Sequence, residues 1–225
     1  MPKKSVLKEI VSKYAIDNCP IFLKDQLLEM HPELQTDSVR TTLSRFCNEG
    51  SVYTPWRGVY IYSPEAYFDS TEIHLREYLD FVLKQAKTHY YVTLLDAIHE
   101  LIPTFSKEDT SKYHVMVDDD GIVGSIGKAV PKPHFLRNKK HPEPYVVRNK
   151  VKYGFLNLPT AELLAVDLVA YTHVIGGLQE SVEAMKALIP KLDFKRLNID
   201  IFEFRTAANI QRLGYIIENV IGMPE

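Results

Sequence analysis

Turn-forming residues divide the first 62 residues of this chain into short pieces, and this restricts the fold more than any other feature. Apolar residues at helical spacing predict a first helix over 5–16, which Asp17 to Pro20 ends. A second short amphipathic segment over 22–30 ends before Pro32, because proline disfavours helical geometry in the residue before it. Three short helices are therefore expected, the third ending at Gly50.

The third helix has two distinct faces. Thr36 or Asp37 is expected to cap its N-terminus, because a short side-chain oxygen can accept from the amides of the first turn. Apolar residues at Val39, Leu43 and Phe46 recur at the spacing of a buried stripe. The opposite side carries hydrogen-bond donors that suit base edges and phosphates, and four of them are predicted DNA contacts: Arg40, Thr41, Ser44 and Arg45.

A hairpin is predicted next. Residues 51–53 and 58–62 favour β-structure, and the proline-containing stretch 54–57 is expected to form the turn between them. Three short helices followed by a hairpin are typical of a winged helix-turn-helix, in which Arg57 would reach a phosphate or the minor groove. The alternative for the third helix is a merely solvated face. Trp56 could stack on a sugar or base, but a lone tryptophan in a hairpin more often covers the domain's own core.

The remainder of the chain is expected to be a second domain of mixed type. Ser63 to Glu65 is the first plausible boundary, which gives a DNA-binding domain over 1–68 and an effector domain over 69–225. The second domain should begin with helices over 71–87 and 91–101. Short strands and then helices from Thr160 onward are expected to follow, the strands over 113–117, 121–123, 145–147 and 151–155. The predicted fold class is α+β, with a small sheet and several helices in the second domain.

Composition narrows the classes of function. An apolar fraction of 45% and a charged fraction of 25% are ordinary for a globular protein, and neither a signal peptide nor a membrane span is expected. The predicted location is the cytoplasm. Cys19 and Cys47 are too few for a disulfide framework and are interpreted as small buried hydrophobes.

Basic residues are concentrated in one stretch although the whole chain has a net charge of −2. Eight lysines and arginines lie between Lys128 and Lys152 against Glu143 alone. Such a stretch can attract an acidic or phosphate-rich partner, or it can be a solvated loop. Five of its residues are assigned to a partner surface: Lys139, Lys140, Arg148, Lys150 and Lys152.

No arrangement typical of catalysis or metal binding is found. Three adjacent carboxylates at 118–120 cannot all face one ion and indicate a hairpin turn. The glycines before Lys128 lack the spacing of a phosphate-binding loop, and the histidines lack the spacing of metal ligands. We therefore expect a non-enzymatic protein with no cofactor and no metal.

Several strings, in order along the chain, resemble the AbiEi antitoxins of abortive-infection and type IV toxin–antitoxin systems. They are Arg57-Gly58-Val59-Tyr60, Tyr90 to Ala97, Leu158 to Glu162 leading into Asp167-Leu168, Gly176-Gly177-Leu178, and Gln211 to Tyr215. The resemblance implies a winged helix that represses its own operon at inverted repeats. It also implies a C-terminal domain that counteracts a nucleotidyltransferase-type toxin, directly or through the toxin's substrate, and it adds Gln211 and Arg212 to the partner surface.

Two other classes stay open at this point. One is a winged-helix regulator whose second domain senses a ligand or dimerises, without a toxin partner. The other is an enzyme, or enzyme subunit, acting on nucleic acid, which would need titratable residues convergent in one pocket.

Overall fold

The computed structural model describes residues 4–16, 19–62, 73–106, 111–119, 131–197 and 199–222. The chain forms two compact units. Unit 1 comprises residues 1–87, 121–133 and 150–155, and unit 2 comprises 88–120, 134–149 and 156–225. Within the described ranges, helices are too short or too polar to cross a membrane.

Unit 1 begins with three short helices and a three-stranded sheet. In chain order they are α1 (Lys4–Ile16), β1 (Ile21–Leu23), α2 (Lys24–Met30), α3 (Thr36–Asn48), β2 (Val52–Trp56) and β3 (Val59–Tyr62). The sheet order is β1-β3-β2, with both pairs antiparallel. The predicted helices over 5–16 and 36–48 are confirmed, but Phe22 and Leu23 lie in β1, because they pair with Tyr60 and Val59 of β3.

The helices of unit 1 enclose an apolar core. Leu7 and Val11 of α1, Leu27 of α2, and Val39 and Leu43 of α3 are all at most 3% exposed. These residues repeat at helical spacing in the sequence because one side of each helix packs into this core. Gln35 precedes α3 in extended conformation without a side-chain hydrogen bond, so the prediction that Thr36 or Asp37 caps this helix is wrong.

The hairpin is tighter than predicted. Strand β2 continues through Pro55 to Trp56, and Trp56 pairs with Val59, so the turn consists of Arg57 and Gly58 instead of residues 54–57. The ladder shifts register between Tyr53 and Trp56, which is where a strand can accommodate a proline. Gly58 has a φ of +84°, a conformation that favours glycine.

The boundary expected near residue 68 lies outside the described residues and stays a prediction. The expected helix over 71–87 is interrupted: a 3-10 turn at Leu75–Glu77 precedes α4 (Leu79–Gln85). Its predicted buried stripe is correct from Leu75 to Leu83, but Ala86 is exposed. The segment 73–87 belongs to unit 1.

Unit 2 has its strands first and most of its helices afterwards, as predicted. The elements are β4 (Tyr90–Val92), α5 (Leu94–Leu101), β5 (Lys112–Val117), β6 (Lys132–Arg137), β7 (Val146–Lys150), β8 (Phe155–Pro159), α6 (Ala161–Ala170), α7 (Leu178–Leu188), α8 (Ile199–Phe202) and α9 (Ala207–Tyr215). A π-helical segment, Ile216–Ile221, follows α9. One sheet has the order β4-β5-β6, and β7 pairs with β8.

Helix α6 is the centre of unit 2. Every residue from Glu162 to Val169 is buried, because α5, α7 and α9 all pack against this helix. Thr160 caps it by accepting a hydrogen bond from the Leu163 amide at 3.4 Å. An all-round buried helix is what a continuous apolar run produces at the centre of a domain.

Three predictions for unit 2 need correction. The expected helix over 91–101 begins only at Leu94, because Tyr90 to Val92 pair with β5. Strand β6 occupies a stretch where no strand was expected, and the strand expected at 151–155 begins at Phe155 instead. The predicted strand 113–117 is confirmed within β5, whereas the one at 121–123 lies outside the described residues.

Candidate nucleic-acid interface and partner surface

The outer face of α3 presents hydrogen-bond donors to solvent. Arg40, Thr41 and Ser44 are exposed, whereas Val39 and Leu43 are at most 1% exposed. At about 100° per residue, Arg40 lies about 100° from Val39, and Arg45 lies about 120° from it in the opposite sense. The two arginines therefore occupy opposite flanks of the helix, with Thr41 and Ser44 between them.

Arg45 is held against its own helix. Its Nε lies 3.2 Å from Oε1 of Glu49, and its guanidinium lies 5.2 Å from the centre of the Phe46 ring. The Arg45 side chain is 35% exposed and that of Glu49 is 55% exposed. A pair this open to water contributes little stability, so an anionic ligand could replace Glu49 at small cost.

The turn of the β2–β3 hairpin exposes Arg57, while its neighbour Trp56 is only 2% exposed. This agrees with the interpretation that Trp56 covers the core. Residues 1–62 contain eight lysines and arginines and seven aspartates and glutamates. The charge of this region is close to neutral, so nucleic-acid binding here would depend on a few placed contacts and not on a broad positive field.

The basic residues assigned to the partner surface are all exposed, but they are not all in one unit. Lys139, Lys140 and Arg148 belong to unit 2, whereas Lys150 and Lys152 belong to unit 1. The Lys152 ammonium lies 4.8 Å from the centre of the Tyr153 ring. Lys128 lies outside the described residues.

Helix α9 presents Gln211 and Arg212 to solvent, as predicted. Tyr215, at the end of the same helix, is 61% exposed. Tyrosine and arginine are the residue types that most often contribute strongly to protein interfaces. Tyr215 was not assigned to the site from the sequence, although it belongs to the same string as Gln211 and Arg212.

A buried polar network fixes the start of α9. Asp167 of α6 is fully buried and accepts hydrogen bonds from Tyr91 Oη at 3.0 Å, from Thr93 Oγ1 at 2.8 Å and from Arg205 Nε at 2.9 Å. Arg205 Nη2 also contacts Asp167 and donates to Tyr91 Oη at 2.9 Å. Arg205 directly precedes Thr206, the N-cap of α9, so this ion pair attaches that helix to the centre of unit 2.

Within this network the pKa values of Tyr91 and Arg205 are shifted. Burial, followed by the charge of Asp167, raises the pKa of Tyr91 well above its usual value. Burial acts to lower the pKa of Arg205, but the Asp167 carboxylate outweighs it and raises that pKa. Tyr91 therefore stays neutral and Arg205 stays charged across the physiological range.

Two carboxylate–imidazole pairs lie in the same unit. Asp96 Oδ2 lies 2.7 Å from His114 Nδ1, and the rings of His114 and His134 have centres 5.3 Å apart. Asp118 Oδ2 lies 2.7 Å from His89 Nδ1, and the rings of His89 and His141 have centres 5.1 Å apart. Sequence analysis did not find these pairs, because their members are up to 29 residues apart.

Within the described ranges, no three histidine, cysteine or acidic side chains are grouped so that they could hold a metal ion. Both cysteines are free and half-buried. Burial raises the pKa of the Cys19 thiol, which keeps it protonated at neutral pH.

Comparison with known proteins shows the family to which the chain belongs. Residues 96–219 match the AbiEi antitoxin C-terminal domain, which is more than half of the chain, and the chain therefore belongs to the AbiEi antitoxin family. The matched region contains α6, α9 and both members of the Asp167–Arg205 ion pair. No curated protein sequence matches the chain.

Two solved structures are similar to the chain. The crystal structure of the RV2827C protein from Mycobacterium tuberculosis aligns with a TM-score of 0.66 at 12% identity, over 97% of this chain and 77% of that one. The crystal structure of an antigenic nucleotidyltransferase-like protein from Paracoccidioides brasiliensis aligns with a TM-score of 0.41 at 11% identity, over 65% of this chain and 86% of that one. The first of these similarities extends the fold assignment to nearly the whole chain.

Proposed function

We propose that this chain is a non-enzymatic antitoxin that also represses its own operon. In this proposal unit 1 contains a winged helix-turn-helix that binds operator DNA, expected to be inverted repeats. The C-terminal domain counteracts a nucleotidyltransferase-type toxin, directly or through the toxin's substrate. Membership of the AbiEi antitoxin family is the observation that carries the antitoxin half of the proposal.

The proposed DNA reader is α3, with α2 before it and the β2–β3 hairpin as the wing. A helix in the major groove faces bases at its outermost residues and phosphates along both flanks. Thr41 and Ser44 occupy the outermost position of α3, and Arg40 and Arg45 occupy the flanks. The exposed Arg57 in the hairpin turn supports a further contact from the wing.

Operator binding tests this assignment. Arg45→Ala is expected to weaken operator affinity by about 1–3 kcal/mol, and Arg40→Ala combined with it should weaken it further. Arg212→Ala removes the same charge from the exposed face of α9 and serves as the matched control. Undiminished operator binding by the Arg40/Arg45 double variant would show that α3 does not read the DNA.

The exposed basic residues of the predicted partner surface support the antitoxin half of the proposal, although Lys150 and Lys152 belong to unit 1. A positive surface could face an acidic toxin or compete for the toxin's nucleic-acid substrate, and salt would weaken both routes. Replacing all four of Lys139, Lys140, Lys150 and Lys152 by glutamate is expected to reduce protection in co-expression with the neighbouring toxin gene. Operator binding by this variant should stay at the wild-type level.

Co-expression also separates this function from a plain regulator. A chain that binds its operator but gives no protection against the neighbouring gene product would favour a regulator whose C-terminal domain senses a ligand or dimerises. Protection that disappears with the lysine replacements, while operator binding persists, supports the antitoxin.

A further inference from the structure

One edge of the β4-β5-β6 sheet gathers histidines that the proposed function does not use. They lie in the same unit as Lys139 and Lys140, which also belong to the proposed partner surface. His89 directly precedes β4, Asp118 directly follows β5, and residues 138–141 follow β6. The backbone fixes them together: the Asp118 amide donates to the His89 carbonyl at 3.3 Å, and the Asn138 amide donates to the Val117 carbonyl at 2.8 Å. The ends of three neighbouring strands thus meet at one place.

His89 is oriented by Asp118. One carboxylate oxygen accepts from the His89 amide at 3.1 Å, and the other lies 2.7 Å from Nδ1 of the ring. A carboxylate at Nδ1 fixes the proton there and leaves Nε2 to face outward. The His89 side chain is 69% exposed, so Nε2 is accessible, and both oxygens of Asp118 are already occupied.

His141 lies between His89 and Tyr91. Its ring centre is 5.1 Å from that of His89 and 6.1 Å from that of Tyr91. Burial, and then the neighbouring His89, lowers the pKa of His141, while Asp118 and Glu143 oppose this effect. A bound anion would favour protonation of the His141 imidazole.

The turn between β6 and His141 adds further donors. Lys139 and Lys140 are exposed, and the residues on either side of them are held in place. The Asn138 amide donates to the Val117 carbonyl, and the His141 ring lies against the His89 ring. The Asn138 side-chain oxygen accepts from the Lys140 amide at 3.4 Å, whereas its Nδ2 is buried with no hydrogen-bond partner among the described residues. The Asn138 side chain therefore helps to hold the turn that carries both lysines.

We propose that this cluster is an oxyanion site that binds a phosphate group, either free, as in a nucleotide, or within a nucleic-acid backbone. Its donors are Lys139, Lys140 and the protonated imidazoles of His89 and His141. Ammonium and imidazolium groups form charge-assisted hydrogen bonds to phosphate, which are about twice as strong as neutral ones. Glu143 is the nearby carboxylate that opposes binding, since Asp118 is engaged with His89. The site is independent of operator recognition by α3.

Nuclear magnetic resonance of the imidazole rings in the full chain tests the site. The probes are inorganic phosphate, adenosine monophosphate and a short single-stranded oligonucleotide, each titrated at about pH 6 and about pH 7.5 at constant ionic strength. Saturable shifts of the His89 and His141 signals, with tighter binding at the lower pH, are expected. Binding of phosphate and the mononucleotide would identify a free phosphate group as the ligand, and binding of the oligonucleotide alone would identify a backbone phosphate.

Variants decide whether the shifts report this site. Lys139→Ala/Lys140→Ala should weaken binding by about tenfold or more, because the charge-assisted hydrogen bonds of two ammonium groups are lost. Lys186→Ala/Lys191→Ala removes two exposed lysines from the same unit and is the matched control. The proposal is overturned if no probe gives saturable shifts, or if the two double variants weaken binding equally. Neither result depends on operator binding or on toxin protection, which are measured separately.

Discussion

The buried pair of Asp167 and Arg205 makes a quantitative prediction about stability. Asp167→Ala removes a fully buried carboxylate and leaves the Arg205 guanidinium, with a side chain only 5% exposed, without its counter-charge. Breaking a buried ion pair in this way costs about 3–5 kcal/mol. Whole domains are stable by about 5–15 kcal/mol, so the variant should lose a large part of the stability of unit 2.

Two further variants separate the charge from the hydrogen bonds. Tyr91→Phe deletes the neutral donor to Asp167 at 3.0 Å and the acceptor of Arg205 Nη2 at 2.9 Å. It should cost about 1.5–3 kcal/mol, because both hydrogen bonds involve a charged group. Asp167→Leu combined with Arg205→Met removes both charges at once. It should recover much of the loss, because apolar replacements of similar volume can substitute for a buried ion pair.

Urea unfolding measures these effects. Circular dichroism follows both units, whereas the chain's one tryptophan, Trp56, lies in unit 1 and its fluorescence follows that unit. We expect Asp167→Ala to lower the midpoint of the circular dichroism transition more than that of the fluorescence transition, at an unchanged slope. A loss below about 1 kcal/mol, or an equal loss in Asp167→Ala and the apolar double variant, would refute the reasoning.

Three other predictions concern separate parts of the chain. Arg57→Ala should weaken specific and nonspecific DNA binding alike and make the salt dependence of log affinity shallower by about one unit; an unchanged slope would exclude a phosphate contact. Because burial lowers the pKa of His141, the unfolded chain binds this proton more readily, so stability should fall as pH drops below about 6.5. His141→Gln should flatten that dependence in urea unfolding across pH. Gly58→Ala, at a φ of +84°, should destabilise by about 1–2 kcal/mol, whereas Gly214→Ala, whose added Cβ would lie 3.9 Å from Glu218, should stabilise by up to about 1 kcal/mol; changes of the same sign would contradict this.

Local periodicity predicted the elements that their own side chains define. Helix α3 was placed correctly because Val39, Leu43 and Phe46 repeat at helical spacing and are buried on one side. Helix α6 was expected from Thr160 onward because its residues form a continuous apolar run, and the structure buries them on every side of the helix. In both cases the signal lies within about ten consecutive residues.

Elements that depend on distant partners were misplaced. Tyr90 to Val92 form a strand only because β5 pairs with them, and the apolar residues around them are equally compatible with a helix. Strand β6 contains a proline and charged residues, which are typical of a loop. Whether such a stretch forms a strand depends on its pairing with a distant strand, and the local sequence carries no signal of that pairing.

The polar clusters of unit 2 could not be found from spacing. Asp167 and Arg205 are 38 residues apart, and His89 and Asp118 are 29 apart. Two of the strings that resemble AbiEi antitoxins contain Tyr91 and Asp167, which hydrogen-bond to one another. Two strings that lie far apart in the sequence thus contribute residues to one buried site, and the presence of both strings was a signal of that site.

Unit 1 is built from three separate stretches of the chain, and this limits which parts can be exchanged between related proteins. Residues 121–133 and 150–155 belong to unit 1 although unit 2 precedes and follows them in the sequence. A single crossover after residue 62 would give a chimera a new α1–β3 region together with the old segments 73–87, 121–133 and 150–155. Buried residues such as Leu75, Leu79 and Val151 would then come from a different parent than the α1–β3 region of the same unit. Under the proposed function, operator specificity is therefore expected to change between relatives by substitutions on the surface of α3, and not by transfer of the whole unit.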